Sequence, residues 1–341
     1  MNSVQFSETK EENSIETLVT VRDLSVEFLS EKGNVQAVNE INFSLHTSET
    51  LAILGESGSG KSTVALALMG LLPKPNSRIN KGSINFKGKD LVRVKESERR
   101  KLRGAQMSMV FQDPLSALNP VFTVGFQIGE VLRTHKRISR NQVKKEVISL
   151  MRKVKIPDAE KRIKDYPHQF SGGMQQRIII AIALALEPKF LIADEPTTAL
   201  DVTVQNQIMH LLKDLQNTEE MGLVFISHDI GVVANYADKV AVMYAGHLIE
   251  TGPVKEVLKN PAHPYTLGLI NSLPTISSEP NRLAPIKGSP PNMLNPPTGC
   301  PFHPRCPIAK EICKTEMPEL TNIRNARKSA CHFYEEVLDD E

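Results

Sequence analysis

The residues with the clearest chemical meaning form a glycine-rich segment that ends in a lysine and two hydroxyl residues. The segment fits the pattern G-x-x-x-x-G-K-[ST], follows the apolar run 51–54 and leads into the apolar stretch 63–69. A strand, a glycine loop and a helix in this order point backbone N–H groups at phosphate oxygens. Lys61 can reach the β- and γ-phosphates, and the Ser62 hydroxyl can bind Mg²⁺. The pattern favours a nucleotide-binding loop over a plain surface turn, and the loop comprises Gly55, Glu56, Ser57, Gly58, Ser59, Gly60, Lys61, Ser62 and Thr63.

Two adjacent carboxylates, Asp194 and Glu195, end the apolar run 190–193. A buried strand would deliver both of them at its C-terminal edge, where ligands bind in parallel sheets. Asp194 is suited to hold Mg²⁺ through water. Glu195 is suited to polarise a water aimed at the γ-phosphate, which is general-base chemistry worth about 10²–10⁴ in rate. The alternative is a solvated acidic helix cap before Pro196.

A second glycine-containing segment precedes the apolar helical stretch that starts at residue 178. Ser171 suits the N-cap of that helix. Gly172 and Gly173 have no side chains that would cover the backbone N–H groups. These features predict a second anion site at a helix N-terminus. One chain does not need two such sites for one nucleotide, so another chain could use it. The alternative is an ordinary capped helix.

The elements that position these residues alternate between strands and helices. Residues 24–28 and 37–43 alternate apolar and polar side chains, which predicts a hairpin. Strand signals at 190–193, 223–226 and 240–244 have helices between them and favour a largely parallel sheet covered on both faces. Helical periodicity dominates residues 115–175, which we expect to form a helical insert in an α/β core.

The two ends of the chain differ from this core. Residues 1–17 are polar and are expected to form a disordered tail. Seven prolines between residues 274 and 297 make helix and central strand unfavourable, so residues 271–299 are interpreted as an extended linker. Residues 300–341 hold all four cysteines and are expected to form a small C-terminal appendix.

Composition limits the class of protein. Hydrophobic residues make up 40% and charged residues 23% of the 341 residues, which suits a two-domain globular chain. A net charge of +2 implies no strong field for nucleic acid or lipid. The longest apolar run, 178–186, has about half the length of a membrane span, and the N-terminus lacks a secretory signal. We therefore expect a cytoplasmic protein that a partner would hold at any membrane.

Together these motifs resemble those of the ATP-binding cassette (ABC) ATPases, in order and in spacing, over about residues 18–270. The signature motif of that family, L-S-G-G-Q, corresponds to F-S-G-G-M at residues 170–174 and departs from it at the first and last positions. Four further family positions have counterparts. The glutamine loop corresponds to Gln112, and the D-loop corresponds to residues 198–201 and ends at Asp201. The switch histidine corresponds to His228, and the aromatic residue under adenine corresponds to Phe28.

The resemblance implies a P-loop α/β fold, with a RecA-like core, an antiparallel β subdomain and the helical insert. It also implies a head-to-tail dimer that holds two ATP molecules. Each ATP would lie between one chain's phosphate loop and the other chain's segment Ser171, Gly172, Gly173, Met174 and Gln175. Gln112 would sense the γ-phosphate through Mg²⁺, His228 would contact the γ-phosphate, and Phe28 would stack on adenine. The catalytic residues are then Glu195, His228 and Gln112, and the Mg²⁺ ligands Ser62, Gln112 and Asp194.

Nearly the whole chain is similar to one subfamily, the ATPase subunits of oligopeptide, dipeptide and nickel importers. The similarity includes V-F-Q-D-P-L-S-A-L-N-P at residues 110–120, H-P-Y-T at 263–266, the proline linker and the cysteines. It implies two membrane permeases, a second identical or homologous ATPase chain, an extracytoplasmic peptide-binding protein, and a place on the cytoplasmic face of the bacterial membrane. The alternatives are a nickel importer, or a soluble ABC ATPase that acts on DNA or ribosomes. No nucleic-acid partner is expected, because the coiled-coil inserts and zinc modules typical of that last class are not visible.

The cysteines are Cys300, Cys306, Cys313 and Cys331, with the spacing C-x₅-C-x₆-C-x₁₇-C. This spacing differs from the C-x₂-C pairs of ribbon-type zinc sites. Four thiolates could hold a [4Fe–4S] cluster or Zn²⁺, or could remain unligated. The resemblance implies the cluster, because related peptide-importer ATPases carry one in this region. A proline-rich appendix has little core of its own, so a metal would help it to fold.

Overall fold

The computed structural model describes residues 16–198, 200–272 and 286–339. Most of the expected N-terminal tail (1–15), Ala199 of the expected D-loop, part of the expected linker (273–285) and the last two residues lie outside the described residues. The strands are β1 (Thr17–Phe28), β2 (Val35–His46), β3 (Thr50–Leu54), β4 (Ser77–Phe86), β5 (Lys89–Asp90), β6 (Met107–Val110), β7 (Phe190–Asp194), β8 (Gly222–Ser227), β9 (Lys239–Tyr244), β10 (His247–Pro253), β11 (Thr321–Ile323) and β12 (Arg327–Ser329).

The helices cover the faces of the sheets and fill the predicted insert. They are α1 (Lys61–Met69), α2 (Glu96–Leu102), α3 (Pro114–Ala117), α4 (Val124–His135), α5 (Arg140–Lys153), α6 (Ala159–Arg162), α7 (Gly172–Ala183), α8 (Val202–Glu219), α9 (Ile230–Tyr236), α10 (Val254–Lys259), α11 (Pro264–Asn271), α12 (Glu311–Thr315) and α13 (Tyr334–Asp339). In the part of the chain that the structure describes, none of these helices has the length and apolar character needed to cross a membrane.

The strands form two sheets. The smaller is antiparallel, in the order β2-β1-β4-β5, and the pairing of Val26 with Val38 confirms the predicted hairpin. The larger has the order β11-β12-β10-β9-β3-β8-β7-β6. Its central strands β9, β3, β8, β7 and β6 are parallel, as predicted, and β10 adds to β9 in the antiparallel direction.

The central strands are mostly apolar because both of their faces are buried. Along β3, Leu51 and Ile53 point into a core shared with α1 and the antiparallel sheet, and Ala52 and Leu54 point into a second core beneath the helical insert. Every residue of β3 is buried. This explains why the strand is a continuous apolar run and not an alternating one. Because β3 ends at Leu54, the phosphate loop leaves the sheet at the carboxyl end of this strand.

Capping residues define where the helices of the insert begin. Ser139 and Gln142 form a capping box at the start of α5, and the Thr123 side chain caps α4. Gly173 lets α7 approach α8 closely, because a Cβ at that position would lie 2.5 Å from a methyl carbon of Val204. Contacts among α4, α5 and α7 then bring the start of α7 to the surface of the domain.

The C-terminal appendix has no separate core and continues that of the ATPase domain. The pairing of β12 with β10 adds it to the large sheet, which the sequence did not predict. Phe302 is buried against the rings of Tyr244 and Tyr265, with centroids 5.2 and 5.4 Å away, and Cys300 and Cys313 belong to the main core. The appendix therefore obtains apolar burial without a metal, so a metal is not the only means of holding it in place.

Candidate functional site

A cleft of about 610 Å³ lies at the carboxyl ends of the parallel strands. The phosphate loop follows β3, and Gln112, Glu195 and His228 follow β6, β7 and β8. This is the edge where parallel sheets bind ligands, so the topology alone brings the predicted residues together. The cleft is lined by Ala37, Glu56, Ser57, Gly58, Gly60, Lys61, Ser62, Thr63, Gln112, Glu195 and His228.

The phosphate loop wraps around the amino end of α1. Gly60 is the N-cap, with φ +103°, and a Cβ there would lie 2.4 Å from the Ala37 carbonyl oxygen, so only glycine fits. The Lys61 side chain is buried, and its Nζ donates hydrogen bonds of 2.8 Å to the carbonyl oxygens of Gly55 and Glu56. Burial lowers the pKa of Lys61, whereas the nearby carboxylates of Glu195 and Asp194 oppose that shift. A buried cation at a helix N-terminus is a strong anion site.

Beneath the loop, the Ser62 hydroxyl donates a 3.1 Å hydrogen bond to Asp194 Oδ1. Burial raises the pKa of the Asp194 carboxyl, and the bond from Ser62 opposes that shift. A hydroxyl and a carboxylate are oxygen ligands of the kind that Mg²⁺ uses together with phosphates and water. Among the described residues, no group of three or more His, Cys, Asp or Glu side chains could hold a metal ion alone. Ser62 and Asp194 supply two oxygen atoms of this kind at the site.

Residues from three other parts of the chain contact the Glu195 carboxylate. Its Oε2 accepts hydrogen bonds from Gln112 Nε2 at 3.1 Å and from Thr198 Oγ1 at 2.9 Å, and lies 3.4 Å from His228 Nδ1. The backbone of Glu195 is left-handed, with φ +44°, which is a strained conformation for a glutamate. Such strain is common at functional sites. The sequence motifs did not reveal that Thr198 orients Glu195, because the contact depends on this local turn.

The remaining predicted nucleotide-binding residues lie outside the lining of the cleft. Phe28 ends β1 opposite Val35 and packs against the core of the antiparallel sheet. Asp201 caps α8, where its Oδ1 accepts a 2.9 Å hydrogen bond from the Val204 backbone. Gly55 and Ser59 belong to the phosphate loop but do not line the cleft.

The signature segment is also separate from the cleft, at the exposed start of α7. Ser171 occupies the predicted N-cap position, but its side chain makes no capping hydrogen bond, so its hydroxyl remains available. Gly172 is exposed beside it. The Gln175 side chain is instead buried, and its amide donates to the carbonyl oxygens of Pro167 and Phe170. Residues 171–175 therefore do not contribute to the lining of the cleft formed by the described residues of the same chain.

The four cysteines line one small apolar cavity of about 10 Å³, next to the His303 and His332 rings. All four are free thiols. Burial raises the pKa of Cys300 to about 11 and that of Cys331 to about 12, so both are neutral near pH 7. The cavity has room for about one water-sized sphere. As the described side chains stand, no group of three or more of them could hold a metal, so ligation would require their rotation.

Comparison with known proteins agrees with this architecture. Residues 38–198 match the family described as ABC transporter, and residues 249–313 match the family described as oligopeptide/dipeptide transporter, C-terminal region. The dipeptide transport ATP-binding protein DppD of Bacillus subtilis is 50% identical over 307 residues, which covers 90% of this chain and 92% of that protein. The oligopeptide transport ATP-binding protein OppD of Escherichia coli is 51% identical over 316 residues, which covers 93% of each.

A solved dimeric ATP-binding cassette, bound to ADP and phosphate in a post-hydrolysis state, superposes with a TM-score of 0.63 at 26% identity. It covers 70% of this chain and 99% of its own. The predicted fold class, with a P-loop α/β core, is confirmed by this likeness. From its fold, its cleft and its sequence, the chain belongs to the family of ABC ATPases, in the group that includes the ATP-binding proteins of dipeptide and oligopeptide transport.

Proposed function

We propose that this chain is the ATP-hydrolysing subunit of a bacterial ABC importer for oligopeptides or dipeptides. The observation that carries the proposal is sequence identity of about 50% to DppD and OppD proteins over at least 90% of the chain, together with the match of residues 249–313 to the C-terminal region of oligopeptide/dipeptide transporters. The cleft supplies the chemistry that such a subunit needs. On this proposal the protein works at the cytoplasmic face of the membrane, held there by its partners.

Each side chain around the cleft has a separate role in ATP hydrolysis. Lys61 and the backbone N–H groups of the phosphate loop bind the triphosphate. Ser62 and Asp194 would hold Mg²⁺, which when bound neutralises phosphate charge, and Gln112 would reach it through water. Glu195 accepts a proton from the attacking water. His228 contacts the γ-phosphate and helps to orient the attack.

A second chain completes the site in this proposal. The exposed Ser171 and Gly172 at the start of α7 would form an anion site, and neither residue lines the cleft of its own chain. In a head-to-tail dimer, this segment and Asp201 would close over the ATP held by the partner's phosphate loop. The dimeric state of the similar ATP-binding cassette supports this arrangement. Gln175 would act by holding the turn before α7, since its amide is already bonded there. Phe28 would stack on adenine.

The helical insert, together with Phe111 just before it, presents exposed apolar side chains that we define as one surface suited to a membrane partner. Phe111, Val121, Phe122 and Phe126 are 42%, 70%, 43% and 40% exposed. The rings of Phe122 and Phe126 stack with centroids 4.7 Å apart. Phe111 directly precedes Gln112, which bonds to Glu195, so a partner at this surface would sense the state of the cleft. We assign it as the docking surface for the two permease subunits, which receive peptide from an extracytoplasmic binding protein.

Uptake by a strain that lacks this protein tests the function and the docking surface together. Wild-type protein should restore uptake of labelled peptides, whereas Phe122→Ser should restore at most about one tenth of it, because a large exposed aromatic residue often carries interface energy. Ile312→Ser is the control, since Ile312 is a 39% exposed apolar residue of the appendix. It should restore uptake fully.

The same experiment separates the alternative functions. Loss of nickel uptake with normal peptide uptake would replace the proposed cargo with nickel. Normal uptake of both, with ribosomes or nucleic acid in place of permeases in the purified complex, would contradict an importer function.

We further propose that the cysteine cavity holds a metal centre, with a [4Fe–4S] cluster as the first candidate and Zn²⁺ as the alternative. The support is that four free thiols from three separate segments of the appendix line one cavity. The small volume of the cavity suits a single ion better than a cluster, so the cluster requires the thiols to move apart. Thiolate ligands also require deprotonation, which a bound cation promotes.

Metal analysis of anaerobically purified protein tests this centre. Cys306→Ser should lower the bound metal to less than about one fifth of the wild-type content, because one of four ligands is lost. Ile308→Ala changes the same cavity without removing a ligand and should keep the metal. Iron with acid-labile sulfide would identify the cluster, and zinc alone would identify the other centre. Absence of both metals from the wild-type protein would refute the proposal.

A further inference from the structure

An arginine of the C-terminal appendix reaches the phosphate loop. Arg305 lies in the turn just before Cys306, and its side chain is only 5% exposed. Its Nη1 and Nη2 donate to the two carboxylate oxygens of Glu56 at 2.7 and 3.1 Å. This is a bidentate, charge-assisted pair between residues 249 positions apart. Such a geometry holds both partners in one orientation.

Two further N–H groups of this guanidinium are bonded to the surrounding structure. Its Nη1 also donates to the Tyr244 hydroxyl at 3.2 Å, and its Nε donates to the Lys287 carbonyl oxygen at 3.1 Å. The adjacent Phe302 is buried among aromatic rings of the ATPase domain. Arg305 is therefore a rigid part of the appendix and not a mobile surface cation.

Glu56 connects Arg305 to the nucleotide site. It is the second residue of the phosphate loop and lines the cleft. Its backbone N–H donates to the Tyr265 hydroxyl at 2.8 Å, and its carbonyl oxygen accepts one of the two hydrogen bonds from Lys61 Nζ. The contacts form a chain from Arg305 through Glu56 to Lys61. The linker that precedes the appendix also borders the loop, because Pro290 and Met293 line a cavity together with Ser57, Gly58 and Ser59.

We propose that Arg305 is a positioning residue for ATP binding, through which the C-terminal appendix holds the phosphate loop in its binding conformation. The inference rests on the role of the phosphate loop in binding ATP. It means that the appendix is part of the nucleotide site and not only an attachment to it. A change in the structure around Cys306 would then alter ATP affinity.

Equilibrium binding of a fluorescent ATP analogue to the full chain tests this proposal. Arg305→Gln should weaken binding about tenfold, because a charge-assisted bidentate contact that orders the loop is lost. The KM for ATP should rise by a larger factor than kcat falls. Lys314→Gln is the matched control, because it removes a cation of the same appendix whose ion-pair partner is Glu311. Its ATP affinity should stay that of the wild type.

A double-mutant cycle distinguishes positioning from general damage to the fold. Glu56→Gln should weaken binding by a similar factor, and the double variant should be no weaker than either single variant, because both changes break one contact. Additive losses, or unchanged affinity in Arg305→Gln, would overturn the proposal. If Arg305→Gln does not fold, Glu56→Gln with wild-type affinity would overturn it equally. Unchanged binding by Lys61→Ala would instead refute the role of the phosphate loop itself.

Discussion

Glu195→Gln is expected to abolish ATP turnover while ATP binding persists. The substitution keeps the size of the side chain but removes the carboxylate that would accept a proton from water. Loss of a general base lowers the rate by roughly 10²–10⁴. Gln112, Thr198 and His228 all lie within 3.4 Å of the Glu195 carboxylate, so a neutral amide can still contact them and preserve the cleft. Single-turnover hydrolysis and ATP binding, measured on the same protein, separate the two effects.

Glu187→Gln is the matched control for this prediction. Glu187 is an exposed glutamate with the same left-handed backbone, at φ +52°, but it does not line the cleft. Its replacement should leave hydrolysis unchanged. Hydrolysis by Glu195→Gln at more than about one tenth of the wild-type rate would remove Glu195 from the role of general base. Loss of ATP binding in the same variant would show that Glu195 supports the structure of the cleft.

The core of the fold could be predicted because its signals are local. The strands β3 and β7 contain the apolar runs 51–54 and 190–193 since both of their faces are buried, and each run is followed by residues with an evident polar chemistry. Parallel topology then requires their carboxyl ends to meet at one edge. Lys61, Asp194 and Glu195 could therefore be assigned to one site from the order of the elements alone.

Contacts between distant segments could not be predicted in the same way. Strands β11 and β12 have three residues each, and β12 pairs with β10 more than seventy residues earlier. Such short strands carry no clear periodic pattern. The same holds for the contact of Arg305 with Glu56, because each residue alone resembles an ordinary surface charge. The burial of Cys300 in the main core also depends on the packing of Phe302, which is visible only in three dimensions.

The site residues illustrate a second limit of sequence patterns. Ser171 and Gln175 belong to one motif, yet the structure leaves the hydroxyl of Ser171 exposed and buries the amide of Gln175 in a turn. A motif indicates which residues occur together but not which atoms face a ligand. The hydrogen bonds of each side chain supply that information, and they favour backbone and hydroxyl groups as the donors to a nucleotide.

Lys61→Ala is expected to weaken ATP binding by about 2–5 kcal/mol, or roughly 30-fold or more, since a buried charge that meets the triphosphate is lost. Lys61 is only 4% exposed, and its ammonium is bonded to two carbonyl oxygens. Burial disfavours its charged form, so the group is stabilised most when an anion is bound. The wild-type protein should gain about 2.7 kcal/mol of stability at an ATP concentration of 100 Kd. At that concentration the variant should gain much less, as measured by thermal unfolding with and without ATP.

Lys213→Ala provides the comparison that makes this result specific. Lys213 is also partly buried, with its Nζ 3.2 Å from Thr50 Oγ1 and 3.3 Å from Asp238 Oδ2, but it does not line the cleft. Its loss should lower the unfolding temperature of the free protein while the gain from ATP persists. Lys61→Ala should show the opposite pattern, with the larger change in the ATP-bound protein. Equal ATP-dependent stabilisation of Lys61→Ala and the wild type would exclude Lys61 from phosphate binding, because a group that contacts the bound nucleotide must change the affinity when it is removed.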